Sequence, residues 1–370
     1  MHTSKQIVIC PDSFKGTLPA DEAAEIIERA VNDAVPSTKT FAMPIADGGE
    51  GTLDCFRRAL SGRIIGVQTR NANFRPCNAT YLLTPQCAVI ESAKAIGLAS
   101  TEFRNPARTT SYGVGLMMAD ALKRTKSITL ALGGSSTNDA GAGIAAALGA
   151  VFYDDKGNPF VPTGGTLINV NSIDISAIPP ADVTCMCDVD NPLYGERGAA
   201  YVFSPQKGAD YAMVKKLDDG LKHFADVIKR DVGSDVSEIP GGGAAGGIAA
   251  GLVAFCGAKL KSGIDIMLDL TKFDDLLETA SMVVTGEGRL DSQSTGGKAI
   301  SGIVRRAAAH NVPVIAICGQ IEPGFDLEKS GLSLAIATSP FNTPLSPGRN
   351  YAKELYDTAY NLFAETLKKQ

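Results

Sequence analysis

The chain has 370 residues, 44% hydrophobic and 20% charged, which is enough apolar material for a full core and too little charge for a disordered chain. Its net charge of −5, with KRTK at 123–126 as the densest basic patch, argues against a nucleic-acid binder. No stretch reaches the roughly 18 apolar residues of a membrane span, MHTSKQIVIC lacks a signal peptide's apolar core, and eight cysteines without a CxxC read as reduced thiols of a cytoplasmic protein.

In chain order, QIVIC (6–10) reads as a buried strand. CPDSFKG then crowds Asp12, Ser13 and Lys15 into the first turn, at the sheet edge where open α/β folds bind ligands. A solvated turn is the plainer alternative. Pro19 opens a helix with Ile26, Ile27, Ala30 and Val31 on one face. KTFAM (39–43) is a second strand, and ADGGEGT follows it ahead of a helix near 51–60. There Asp47 and Glu50 flank Gly48 and Gly49; such carboxylates either complement a helix dipole or suit Mg²⁺, a hard ion that prefers oxygen.

The texture changes from 63 to 91. RIIGVQT, ATYLLT and CAVIE are successive strands, more antiparallel than βαβ. Residues 111–125 look helical, SITLAL is a strand, and ALGGSSTNDAGAG (131–143) leads into another helix. Gly141–Ala146 fits G-x-G-x-x-A, and Gly241–Gly246 fits G-x-G-x-x-G. Neither has the context of a dinucleotide fingerprint: eight residues separate Leu132 from Gly141, and SEIP before Gly241 is no strand. What remains is a loop of Ser135, Ser136, Thr137, Asn138 and Asp139 at a helix start, a candidate anion cradle. An N-cap would explain one of those polar residues, not all of them.

Residues 153–180 read as irregular. VTCMC (183–187) is a strand, and Asp188 directly ends it within CDVDNPLYG, as a turn cap or as a general base. SPQKGAD brings Lys207 ahead of an amphipathic helix over 208–230, with Val214, Leu217, Leu221 and Phe224 inward. PGGGAAGG opens a further helix to about Cys256. The last third alternates cleanly: SMVVT, a helix over 296–310, VPVIAIC, LAIAT and a helix over 350–368. TGEGRLDSQSTGGK (285–298) holds Glu287, Arg289, Asp291 and Lys298 but is no Walker A loop, because Ser292 and Ala299 stand where Gly and Ser/Thr are needed.

The βα rhythm at both ends suggests a doubly wound α/β domain from 1–62 plus 263–370, interrupted by a mixed α/β domain over 63–262. A cleft between them is the default ligand site. Three histidines supply neither a His-rich metal site nor an evident triad. Carboxylates, hydroxyls, glycines and a few Lys/Arg suit phosphoryl transfer, which needs positioning, charge neutralisation and an acceptor for one proton. A dinucleotide-dependent oxidoreductase and a non-catalytic sugar-acid sensor are the readings of other classes.

PDSFKGTL, ADGGEGT, LGGSSTNDAGAG, DVDNPLYG, FSPQKGA, PGGGAAGG, GAKLKSGID and TGEGRLDSQS, in this order, resemble the type-1 glycerate kinase family over nearly the whole chain. The resemblance implies transfer from ATP, with Mg²⁺, to the 2-hydroxyl of D-glycerate. The alternatives are its 3-hydroxyl, or another small hydroxy or sugar acid. It implies a flavodoxin-like (Rossmann-like) domain from both chain ends and a restriction-enzyme-like insert. On that basis Asp188 is the expected base, with Lys15 and Arg289 beside it in catalysis. Asp12, Ser13, Ser135, Asn138, Asp139 and Asn191 are expected at the substrate. Gly48, Gly49, Lys207, Gly242, Gly243, Gly286 and Lys298 are expected at the nucleotide, and Asp47, Glu50, Glu287 and Asp291 at the metal. Ser136, Ala140 and Ile300 depart from the family's usual Ala, Gly and Pro. The partners implied are small molecules, with no nucleic acid or membrane, and a homodimer is allowed.

Overall fold

The computed structural model describes residues 6–46, 48–49, 51–291 and 298–367. The chain forms two compact units: Met1–Asp47, Asp54–Ser61 and Gly263–Gln370 make one, and Gly48–Leu53 with Gly62–Ser262 make the other.

The first unit is built on a five-stranded sheet in which every pairing is parallel. Its strands, in chain order, are Gln6–Pro11, Lys39–Ala42, Ala280–Gly286, Val314–Cys318 and Leu334–Ala337. Numbered that way they lie side by side as 2-1-3-4-5, the flavodoxin-like order. Gln6–Pro11 and Val314–Cys318 are buried throughout, as continuous apolar runs should be in a sheet covered on both faces. Ile7, Ile9, Val284 and Ile317 pack with Ile26, Ile27 and Val31 of the helix Ala20–Ala34 and with Leu355 and Phe363 of the helix Tyr351–Leu367. The helix Lys298–Ala309 packs against Ala280–Gly286 and Val314–Cys318.

The second unit carries a six-stranded sheet in the order Lys259–Lys261, Asp182–Met186, Ser127–Ala131, Ala88–Glu91, Pro76–Leu83 and Arg63–Arg70. The first four are parallel, and the last two join antiparallel. The 153–180 region is less irregular than its composition suggests. Val151–Tyr153, Pro159–Phe160 and Ser172–Asp174 form a small antiparallel sheet. Its strands are only two or three residues long, too short for a period to register in sequence.

The long helix Tyr211–Asp231 begins at Asp210, whose carboxylate accepts from the Met213 amide at 2.8 Å, a cap worth about 1 kcal/mol. Its apolar stripe of Val214, Leu217, Leu221, Phe224 and Ile228 is buried. Phe224 meets Phe152 and Phe255 at ring-centroid distances of 5.9 and 6.2 Å. Each such side chain contributes about 1.5–3 kcal/mol through burial. All eight cysteines are free. No helix among the described residues is long and apolar enough to cross a membrane.

Candidate active site

The strand order of the first unit reverses between Gln6–Pro11 and Ala280–Gly286, which lie side by side with Pro11 opposite Gly286. Ligands of open α/β sheets bind beyond the carboxyl ends of the strands at such a reversal. The segments leaving these two strands are the CPDSFKG and TGEGRLD motifs. The Asp12 amide donates to the Gly286 carbonyl at 2.8 Å, and the Ser13 amide donates to Asp12 Oδ1 at 2.6 Å. An open cavity of about 630 Å³ lies here. Six predicted site residues line it: Asp12, Ser13, Lys15, Glu287, Arg289 and Asp291. The Thr285 hydroxyl donates to the Cys10 carbonyl, a contact 275 positions apart in the chain.

Gly286 is needed here for packing. A Cβ on it would sit 2.0 Å from the Ile317 carbonyl oxygen, a contact no side-chain rotation relieves. Without a Cβ it allows close strand–strand approach. Past the sheet, Arg289–Leu290 pairs in parallel with Gln320–Ile321, so Arg289 lies opposite Gln320. Arg289 stands 3.8 Å from Asp291, and its guanidinium lies 4.6 Å from the centre of the Phe341 ring.

Gln320, Asn342, Thr343 and Leu345 also line the cavity, and the sequence motifs do not include them. The signal available is SPFNTP, a turn-rich stretch directly after the strand LAIAT, in the same strand-end position as the other motifs.

In the second unit the carboxyl ends of the parallel strands gather a different set. Asp188 follows Asp182–Met186, and its Oδ1 accepts from the Ser262 hydroxyl at 2.9 Å. Glu91 ends Ala88–Glu91, fully buried, and accepts from the amides of Gly51 and Leu53 at 3.3 and 3.0 Å. In sequence Glu91 reads only as the end of a strand. Gly48 and Gly49 lie on the same edge. A Cβ on Gly133 would be 2.6 Å from the Gly49 Cα, and one on Gly48 would be 2.9 Å from the Met186 Cβ. This glycine pair lets backbone approach backbone.

The loop Ser135–Asp139 is held from within. Asp139 has no exposed surface, and its carboxylate accepts from the amide and hydroxyl of Ser111 at 2.7 and 2.8 Å and from the Gly141 and Gly143 amides at 3.3 Å each. Burial pushes its carboxyl pKa up, against those donors. With every oxygen engaged and none exposed, Asp139 organises the loop. Asn138 is likewise fully buried, with Oδ1 accepting from the Ser204 hydroxyl at 2.9 Å. Ser135 keeps 5% of its surface. Lys207 is buried behind the loop. Its ammonium donates to the Thr137 carbonyl at 2.8 Å and reaches Ser135 Oγ at 3.5 Å. Loss of solvent pulls its pKa down to about 8, and the nearby Asp139 opposes that shift.

The two stretches that matched G-x-G-x-x-[GA] face each other. Ala245, Gly246 and Gly247 take left-handed backbone and break the helix Ala244–Cys256 near its start. The Ala140 amide donates to the Gly246 carbonyl at 3.0 Å. A Cβ on Gly246 would lie 2.0 Å from the Thr137 carbonyl, and one on Gly251 would lie 2.0 Å from that of Ala140. The Gly242 and Gly243 amides donate to the Ile239 and Asn191 carbonyls at 2.8 and 2.9 Å. Asn191, expected at the substrate, ties its own turn, with Nδ2 donating to the Arg197 carbonyl at 2.7 Å. Ala140, with φ of 49°, occupies a backbone state in which glycine is at ease and alanine costs about 1–2 kcal/mol. Lys298 heads the helix Lys298–Ala309. Asp47 and Glu50 lie outside the described residues.

Residues 7–367 match the model of the Glycerate kinase family. A glycerate kinase of Bacillus cereus is 42% identical over 372 residues, covering 97% of each chain. A glycerate 2-kinase of Escherichia coli K12 is 42% identical over 325 residues, covering 85% of each. A crystal structure of a Salmonella typhimurium LT2 chain named after glycerate kinase 2 superposes with a TM-score of 0.87 at 39% identity, covering 99% of both chains.

Proposed function

The chain belongs to the glycerate kinase family, and from that premise we propose that it moves the terminal phosphoryl group of ATP to the 2-hydroxyl of D-glycerate, with Mg²⁺. As a member it is a phosphotransferase with an alcohol acceptor. The observation that carries the finer reading is the cavity at the strand-order reversal, which Lys15 and Arg289 line together with Asp12, Glu287 and Asp291. Two cations there neutralise charge on the transferring phosphate, which is most of what such a transfer asks of a protein.

The carboxylates of Glu287 and Asp291 would hold Mg²⁺. They are hard oxygen donors, and this ion is usually bound by one or two carboxylates plus substrate phosphates. Among the described residues no three acidic, His or Cys side chains form an all-protein metal cage. When bound, the ion offsets charge on the phosphate oxygens.

Asp188 takes the proton of the reacting hydroxyl. It stands at a strand's carboxyl end, and the Ser262 hydroxyl orients one of its oxygens. Ser135 meets the glycerate carboxylate. Its oxygen faces the Lys207 ammonium, which makes its own O–H a stronger donor.

The test is ADP release with D-glycerate, followed by NMR of the product to separate 2- from 3-phosphoglycerate. No ADP with D-glycerate refutes the substrate, and a 3-phosphoglycerate product refutes the regiochemistry. Asp188→Asn is expected to lower kcat by about 10²–10⁴. Turnover within about tenfold of wild type removes Asp188 as the base.

A further inference from the structure

We propose that Phe341, pinned by Gln320, is a positioning residue that holds Arg289 in place for a bound oxyanion. The idea rests on the reading of Arg289 as an anion ligand. It adds the device that aims it, in a loop no motif singled out.

Two observations meet here. First, the Gln320 side chain grips the 340–343 turn with both ends of its amide. Nε2 donates to the Thr343 carbonyl at 2.6 Å, and Oε1 accepts from the Asn342 amide at 2.9 Å. The Thr343 amide returns to the Pro340 carbonyl at 3.2 Å, and Asn342 takes left-handed backbone with φ of 60°. Ser339 anchors the start of the loop, its amide and hydroxyl donating to the Gly319 carbonyl at 3.1 and 2.9 Å. Second, this fixed turn presents the Phe341 ring to the Arg289 guanidinium at 4.6 Å, within the range of a cation–π contact.

Arg289 and Gln320 are register partners in one short ladder, so the residue that grips the turn and the residue the turn holds share a single frame. The ring adds to the Asp291 ion pair in limiting the rotamers of a half-exposed arginine, which lowers the entropy lost when it binds an anion. A guanidinium whose carbon lies over a ring can still offer N–H groups to an oxyanion. The ligand group is a phosphate or a carboxylate, and separate substrates distinguish them.

The chain contains no tryptophan, so Phe341→Trp introduces a single fluorescent reporter that preserves the stack. Phe341→Leu keeps an apolar side chain and removes the π face. Phe341→Leu should lower kcat/KM about three- to thirtyfold, the equivalent of one cation–π contact, and Phe341→Trp should stay within about twofold of wild type. A raised KM for ATP assigns the oxyanion to a nucleotide phosphate; a raised KM for D-glycerate assigns it to the carboxylate. In an Arg289→Leu background, Phe341→Leu should cost nothing more, and the emission of the introduced indole in Phe341→Trp should change. Equal activity for Phe341→Leu and Phe341→Trp, full additivity with Arg289→Leu, or emission indifferent to Arg289 overturns the proposal. Wild-type kcat/KM for Arg289→Leu refutes the anion-binding reading itself and takes the proposal with it. An impaired Arg289→Leu with an additive Phe341→Leu refutes the positioning role alone.

Discussion

Lys207 allows a prediction whose sign changes with pH. Its ammonium is buried and has two oxygen partners in reach, the Thr137 carbonyl and Ser135 Oγ. Burial lowers its pKa from 10.5 to about 8. Below pH 8 the native and unfolded states both hold the proton, and the native state carries the full cost of burying it. Between about pH 8 and 10.5 the unfolded chain binds a proton the native state does not, so stability rises with pH across that window. The whole shift corresponds to about 3 kcal/mol, most of it recovered between pH 7 and pH 10.

Lys207→Met removes this dependence. At pH 7 it relieves about 3 kcal/mol of charge burial and strands the Thr137 carbonyl, which costs about 1–3 kcal/mol, so the variant should equal or slightly exceed wild type. At pH 10 only the lost hydrogen bond remains, and the variant should be weaker by about 1–3 kcal/mol. Urea unfolding of both proteins at the two pH values measures the difference. Carbon-13 NMR of labelled lysine side chains should show one titration near pH 8 that vanishes in the variant. A stability gap that stays constant with pH, or no lysine titrating below about pH 9, refutes the account of a solvent-stripped ammonium. If Lys207 helps hold the bound acid, saturating D-glycerate should raise that midpoint.

Gly286→Ala should destabilise the protein by about 1–3 kcal/mol or more, since the new methyl meets the Ile317 carbonyl at 2.0 Å. Gly66→Ala, where a Cβ meets open space, should stay within about 1 kcal/mol; equal losses in thermal unfolding at both sites would sink the packing argument. Glu91→Gln weakens a buried carboxylate that accepts from the Gly51 and Leu53 amides, and should cost about 1.5–3 kcal/mol. A urea midpoint indistinguishable from wild type would show that the charge contributes nothing there.

Much of this is legible from local pattern. The alternating runs mark nearly every long element, and the stripe Val214, Leu217, Leu221 and Phe224 marks the buried face of Tyr211–Asp231. The motif residues Asp12, Ser13, Lys15, Glu287, Arg289 and Asp291 stand out by their place after strands, and they line one cavity. The runs around Gly141 and Gly242 look ligand-seeking because glycine allows close backbone approach, but composition cannot say what approaches. Here it is protein backbone: Thr137 and Ala140 against Gly246 and Gly251. Asp139 poses a related ambiguity. A carboxylate at a helix start suits a ligand site, and an internal hydrogen-bond hub looks the same in one dimension.

Sequence alone determined the elements, their order and the chemistry of the residues after each strand, because these depend on periods of two and 3.6 residues and on turn chemistry within a few positions. The tertiary structure decided which strand ends meet. It set Gln6–Pro11 beside Ala280–Gly286, so two motifs at opposite ends of the chain share one cavity. It also turned two glycine runs toward each other and brought Gln320, Phe341 and Arg289 together. Those outcomes rest on hydrogen-bonded pairing and on clearances of a few tenths of an ångström between distant segments, and no local pattern of residues encodes such distances.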